Sequence, residues 1–209
     1  RHKLLEWSNR TIGGSDPEYQ DEGTGDDHGA TYEAAMIEMA MYAHELTDRK
    51  RAEPADDLWT VLTTATVTLD DGTVTELTDL ERDLFFTLLL VAGNETTRNA
   101  VSLGIMGFMA HPDQWERVTG GAGMDEAAVD EVLRYTSPVN YFRRTATEDT
   151  ELGGQLIRAG DKVTLWYASG NRDEAVYEDP HRLDLTRTEN HHLAFGGGGA
   201  HFCLGASLA

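Results

Sequence analysis

The chain has 209 residues, with 17 Lys and Arg against 37 Asp and Glu, and a formal net charge of −20. That charge argues against nucleic acid or an anionic membrane as partner, and the 40% hydrophobic content excludes a disordered chain. A single cysteine, Cys203, rules out an internal disulfide framework and points to a reducing, cytoplasmic setting. No signal peptide is visible, because Arg1 to Trp7 is charged, and the longest apolar run, Leu84 to Gly93, is too short to span a bilayer.

Residues 1–30 open with a short helical piece carrying Leu4, Leu5 and Trp7, followed by a polar, Gly- and Asp-rich loop through Asp27. From Thr31 to Arg51, Ala35, Met36, Met39, Ala43 and Leu46 recur at helical spacing. This predicts an amphipathic helix whose basic last turn, Arg49-Lys50-Arg51, suits the negative end of its dipole; Pro54 blocks continuation. A short helix over 56–62 follows, then a hairpin across 63–75 turned at Asp70-Asp71-Gly72.

Thr78 and Glu81 fit a capping box. It opens a long helix from residue 78 to Ala110, about 48 Å at 1.5 Å per residue, which Pro112 stops. From Leu84 to Val91 the helix is apolar nearly all round, the mark of burial through a core. Ala92-Gly93-Asn94-Glu95-Thr96-Thr97 then breaks the pattern. A mid-helix glycine costs roughly 1 kcal/mol relative to alanine. Either the helix ends there on a Gly-Asn cap, or it widens and sets a polar pair beside a ligand. Helical spacing resumes from Ala100 to Met109, which favours the second.

Helices are expected over Pro112–Val118 and Asp125–Tyr135. Within the latter, Glu131 and Arg134 share a face, although an isolated Glu-x-x-Arg is most often a solvated pair. Val139 to Ala146 and Asp161 to Ala168 read as strands, with tight turns at Gly153-Gly154 and Ala159-Gly160-Asp161. Arg182 is placed to join Glu131 and Arg134 in a small buried charge network. The fold class is mainly α with small β-sheets, organised as a single domain over residues 1–209.

The last fifteen residues before Ser207 hold the chemistry. Cys203 stands behind four consecutive glycines and ahead of what reads as a helix start. A lone thiol approached by bare backbone suits a large flat ligand pressed against the main chain. Two other readings exist for these residues. A metal site from Cys203 with His191, His192 or His201 lacks the paired spacing of structural zinc. A phosphate-binding glycine loop lacks the following Lys-Ser/Thr.

Taken together, four segments resemble the haem-thiolate monooxygenases, the cytochrome P450 family, in the family's order. Ala92 to Thr96 looks like its oxygen-activating segment, Glu131 and Arg134 like its Glu-x-x-Arg pair, Pro180 to Leu183 like the segment whose arginine completes the network, and Phe195 to Gly205 like its cysteine loop. The bacterial methyl-branched-lipid and cholesterol side-chain hydroxylases look most similar, through Ala-Gly-Asn-Glu-Thr-Thr-Arg-Asn and Gly-Ala-His-Phe-Cys. The resemblance covers residues 78–209 firmly and implies the C-terminal portion of the P450 fold. The start without Met and the stop soon after Gly205 read as an excerpt, lacking the N-terminal half and the end of the helix after the cysteine.

The resemblance further implies haem b (iron protoporphyrin IX) as cofactor, with Cys203 as the axial thiolate. Ala92, Gly93, Arg143, Phe195, Gly199, His201 and Gly205 become haem contacts, with Arg143 and His201 directed to the propionates. Glu95 and Thr96 become the catalytic proton-relaying pair, and Val91, Val139 and Asn140 line the substrate space. Glu131, Arg134 and Arg182 are assigned to structure. The implied reaction inserts one atom of O2 into an unactivated C–H bond, with terminal hydroxylation of an apolar lipid or sterol side chain as the form suggested. Electrons come from a ferredoxin and its reductase, since no flavin or iron–sulfur motif is present. Should these 209 residues be the whole product, the expectation is instead a non-catalytic fragment that does not retain haem. One departure is visible: Phe195 lies eight residues before Cys203, one more than the family's usual spacing, as though one glycine were inserted.

Overall fold

The computed structural model describes residues 2–14, 16, 18 and 28–208, and its contacts fall into two units, Arg1–Glu95 and Thr96–Ala209. Most of the Gly- and Asp-rich loop expected up to Asp27 lies outside the described residues.

The first unit is built on helices. On α2 (His28–Ala52) the buried positions are Thr31, Ala35, Met39, Ala43 and Thr47, a stripe repeating every fourth residue. Met36 and Leu46, expected on that stripe, flank it half-buried. From α1 (His2–Ile12), Trp7 packs in fully buried and its indole N–H donates to Glu38 at 2.8 Å. Arg10 adds a 3.0 Å contact to the same carboxylate. The indole N–H and, next, the guanidinium hold Glu38 below the usual carboxylate range. Rings continue from Trp7 through Tyr42 and Phe86 to Trp59, neighbours 5.4–5.5 Å apart. Asp57 caps α3 (Leu58–Thr64), accepting from the Thr60 amide at 2.9 Å, and also pairs with Lys50. β1 (Thr66–Thr68) and β2 (Val74–Glu76) form the expected antiparallel hairpin, with Gly72 at φ +83° in its turn.

The capping box is present. The Thr78 amide donates to Glu81 at 2.7 Å, and the Glu81 amide donates back to the Thr78 hydroxyl at 3.2 Å. The helix it opens, α4 (Asp79–Ala110), is a single α-helix of 32 residues that runs through both units. The polar segment from Ala92 to Thr97 neither ends this helix nor opens it into π turns. Burial is where the expectation fails. Leu84 and Leu88 are 51% and 56% exposed, and Ile105, Met106 and Met109 are exposed as well. An all-round apolar helix needs cover on every face, and the described residues do not supply it here.

In the second unit α4 meets α6 (Glu126–Thr136) closely: a Cβ on Gly107 would come within 3.0 Å of the Tyr135 ring, so glycine sets this approach. Between them, α5 (Pro112–Arg117) runs into a π turn over Val118–Ala122. Asp125 caps α6 by accepting from Ala128 at 2.9 Å. Ser137 ends it in the left-handed region at φ +43°, its N–H donating to the Leu133 carbonyl at 2.9 Å. Ala128, Leu183 and Leu185 form the buried apolar core, with Phe108, Val118, Val132 and Tyr135 packed around them.

β3 (Tyr141–Thr145) pairs antiparallel with β6 (Lys162–Trp166), placing Arg143 opposite Thr164 and Arg144 opposite Val163. β4 (Thr150–Leu152) and β5 (Gln155–Ile157) form a hairpin on Gly153-Gly154, and the short α7 (Tyr167–Gly170) follows β6. After Cys203 the described residues make turns, Ala206 to Cys203 and Leu208 to Gly205, where a helix was expected. Two such bonds do not amount to a nucleated α-helix.

Lys50 donates to Asp57 and, with the Thr60 amide, holds its carboxyl from an ordinary 3.8 down to about 2. A lowered folded-state pKa adds stability that is present above 3.8 and lost as pH falls toward about 2. Carboxyl NMR titration is expected to give an Asp57 midpoint near 2 that moves back toward 3.8 in Lys50→Ala. An unmoved midpoint would show that the pair does not set it.

Candidate active site

The site is built outward from a buried ion pair on α6. Glu131 and Arg134 are both fully buried. Their contact is bidentate, Arg134 Nε to Oε2 at 2.7 Å and Nη2 to Oε1 at 2.8 Å. Arg134 Nη1 donates to the carbonyls of Asn171 at 2.7 Å and Pro180 at 2.8 Å, and Nη2 to that of Arg182 at 3.0 Å. All five guanidinium N–H donors are thereby used. Tyr177 closes over the pair with its ring centroid 5.0 Å from the guanidinium carbon, and burial pushes its phenol above the usual tyrosine range.

Arg182 does not join this network through its side chain. Its guanidinium turns outward to Asp113, and only its backbone carbonyl meets Arg134. Glu131 is already saturated by others. Arg187 Nε donates to Oε2 at 3.1 Å, Asn190 Nδ2 to Oε2 at 2.9 Å, and the Asp184 amide to Oε1 at 3.0 Å. Arg187, not Arg182, is the second arginine on the carboxylate.

From this network the chain is led into the cysteine loop. Asn171, fully buried, donates to the Ser137 hydroxyl at 2.9 Å and accepts from the Leu193 amide at 2.7 Å. Gly170 gives Leu193 its place, since a Cβ there would meet Leu193 Cδ1 at 2.7 Å. Phe195 stacks edge-on between His192 and Phe202, with centroids at 5.5 and 6.4 Å. The Cys203 amide donates to the Phe195 carbonyl at 3.0 Å and closes the loop despite the extra glycine. Gly196, Gly198 and Gly199 all have positive φ. At Gly197, Gly198 and Gly199 a Cβ would point into open space. The Cys203 thiol is exposed, and Gly205 lies beside it.

A cavity of about 420 Å³ opens here, lined by Leu165, Trp166, Tyr167, Leu193, Gly196 to Gly198, His201 and Arg144. Side chains alternate along a strand, so Arg143 lies on the opposite face of the β3–β6 ladder from the cavity-lining Arg144. Val139 and Asn140 lead into β3, and the Asn140 carbonyl accepts from the Tyr167 amide at 2.9 Å. A larger hollow in the first unit, about 470 Å³ between Leu4, Leu46, Trp59, Phe86, Leu89 and Leu90, carries only the Lys50–Asp57 pair as polar chemistry.

Val91, Ala92, Gly93 and Glu95 belong to the first unit, and Thr96 begins the second. Glu95 is buried, and its Oε1 accepts from the fully buried Ser8 hydroxyl at 2.8 Å. Ala92 and Gly93 are exposed on α4, and Val91 and Thr96 are half-buried.

The family model described as Cytochrome P450 matches residues 124–209. A cytochrome P450 of Mycobacterium marinum in complex with pseudoionone superimposes with a TM-score of 0.87 at 40% identity, covering 99% of this chain and 48% of that one. The chain belongs to the cytochrome P450 family. Among curated P450 relatives, the steroid C26-monooxygenase of Rhodococcus jostii is 44% identical over 209 residues, 100% of this chain and 41% of that protein. The methyl-branched lipid omega-hydroxylase of Mycobacterium tuberculosis is 45% identical over 208 residues, 99% of this chain and 46% of that protein. The chain thus spans less than half the length of these relatives.

Haem b held by a cysteine thiolate is the cofactor of P450 proteins. The residues present fit such a group. An exposed thiol, glycines open on the Cβ side, and exposed Phe202, Leu204, Leu165 and Trp166 offer a sulfur and an apolar surface. His201 and Arg144, both exposed and both lining the cavity, offer cations for carboxylates.

Sequence reasoning missed Ser8, Ser137, Asn171, Arg187 and Asn190. Each acts through a partner 34 or more positions away, so spacing carries no signal of it. Arg187→Ala is expected to cost about 1.5–3 kcal/mol, the worth of a charged hydrogen bond at a buried carboxylate. The exposed Arg182–Asp113 pair is screened by solvent and contributes less. Urea unfolding of Arg187→Ala and Arg182→Ala compares them, and the opposite order would restore Arg182 to the network.

Proposed function

We propose that the protein to which these residues belong is a haem-thiolate monooxygenase that hydroxylates the terminal carbon of a methyl-branched lipid or sterol side chain. The observation that carries this reading is the exposed Cys203, set in a glycine loop whose entry is fixed by the saturated Glu131–Arg134 network. The names of the Rhodococcus and Mycobacterium relatives support the substrate class. Residues 1–209 form part of one haem domain in this reading.

When bound, haem supplies O2 activation, with a thiolate ligand pushing electron density to iron and favouring O–O cleavage. Cys203 provides that thiolate, which the metal keeps deprotonated, so no separate base is needed. Gly199 and Gly205 keep the backbone bare around the sulfur, and Phe195 shields it from one side. His201 and Arg144, which both line the cavity, hold the propionates; Arg143, expected in that role, lies on the other face of the strand pair. One oxygen atom enters the C–H bond and the other leaves as water, which takes up two electrons and two protons. The electrons arrive from a ferredoxin and its reductase in the cytoplasm.

Protons pass along Glu95 and Thr96. A hydroxyl both donates and accepts, so Thr96 can hand a proton on without leaving its place. Glu95 is the carboxylate that refills it. Ala92 and Gly93 leave room for the ring, and Val91, Val139 and Asn140 line the substrate space. A second reading, that these 209 residues alone do not retain haem, is favoured by the apolar positions left open along α4, Met109 at 76% among them.

The test uses the haem-loaded full-length protein with a reconstituted ferredoxin system and a methyl-branched fatty acid or a sterol. A terminal alcohol is the expected product, and hydroxylation confined to other positions, or none, contradicts the assignment. Thr96→Ala is expected to keep the substrate-induced spectral change while lowering product formed per O2 consumed on the order of tenfold or more. Unchanged coupling would remove Thr96 from the relay.

A further inference from the structure

The four-glycine segment cannot hold its own shape. Gly197, Gly198 and Gly199 have no atoms near their Cβ directions, and glycine has the most backbone freedom to lose. Its geometry must therefore be imposed at its two ends. The exit end is tied by the Cys203 amide to the Phe195 carbonyl at 3.0 Å. What sets Phe195 thus sets the position of the cysteine backbone.

Phe195 is set by His192. The two rings meet edge-on at 5.5 Å, and the His192 side chain is only 7% exposed. Both ring nitrogens are engaged. The Ala194 amide donates to Nδ1 at 3.2 Å, so Nδ1 is an unprotonated acceptor there. Nε2 then carries the hydrogen and donates to Asp130 Oδ1 at 3.3 Å. The ring is fixed in one tautomer and one orientation by its own loop on one side and by α6 on the other. Asp130 adjoins Glu131, whose carboxylate holds Asn190 two residues before His192. Consecutive carboxylates of one helix therefore grip the entry of the loop at alternate residues.

We propose that Asp130 and His192 are positioning residues of the cysteine loop: they orient Phe195 and, through its carbonyl, the Cys203 amide and thiolate. The proposal rests on the haem-thiolate reading above. It explains how the loop accommodates an extra glycine, since Phe195 is located by His192 and not by its spacing to Cys203.

In the haem-loaded full-length protein, the reduced carbon monoxide complex reports thiolate ligation by a strongly red-shifted Soret band. If the unmodified protein lacks that band, the haem-thiolate reading itself fails, separately from the proposal. Given the band, His192→Ala and Asp130→Ala are expected to convert to the unshifted form on the order of tenfold faster on mild warming. Amide exchange at Cys203 is expected to accelerate in parallel. Asp130→Asn keeps an acceptor for Nε2 and is expected to retain both properties. Should His192→Ala fail to fold, Asp130→Ala decides alone, because it keeps the imidazole and removes only its anchor on α6. Band lifetime and Cys203 exchange unchanged in the alanine variants that fold would overturn the proposal. So would an Asp130→Asn protein as impaired as Asp130→Ala.

Discussion

The rest of the second unit depends on the burial of one ion pair, Glu131 with Arg134. Two opposite charges taken out of water incur a desolvation cost of several kcal/mol each, which only full hydrogen bonding and tight geometry offset. Here five donors of Arg134 and both oxygens of Glu131 are engaged, by groups drawn from α6, the end of α7 and the irregular stretch 180–190. Removing either partner strands the other, at a cost of about 3–5 kcal/mol. The pair therefore does for a segment without regular secondary structure what a β-ladder does for a strand. It makes one backbone path much better than its neighbours.

That path ends in the glycine loop. Glycines let backbone lie against a flat ligand, but the same freedom leaves the loop without a preferred shape. The structure resolves the conflict by fixing the entry at Asn190, His192 and Leu193, and the closure between Phe195 and Cys203. Rigidity is borrowed from α6, which is itself capped by Asp125 and seated on α4 through Gly107. The Cys203 thiol is thus held by elements that carry no chemistry of their own.

Local patterns were legible in the sequence. The capping box at Thr78, the hairpin turn at Gly72, the Gly153-Gly154 turn and the extent of α4 depend on residues within a few positions of one another. So do the Glu131–Arg134 face and the identity of Cys203 as the odd thiol among glycines. Family resemblance, not periodicity, supplied haem, the role of Glu95 and Thr96, and the substrate class. What could not be read was which distant group completes a local pattern. Arg182 and Arg187 look alike in the sequence, and only the path of the chain from 182 to 187 decides which guanidinium reaches Glu131. The burial of α4 was misjudged for a related reason: apolar composition states a need for cover, not its presence.

The central claim is that α6 presents Cys203 as a sulfur ligand to haem iron. Iron K-edge X-ray absorption of the haem-loaded full-length protein tests this most directly. A sulfur scatterer in the first coordination sphere, lost when Cys203 is replaced by Ser, is the expected result. An iron coordinated only by nitrogen and oxygen, or a sulfur signal that survives Cys203→Ser, would contradict it.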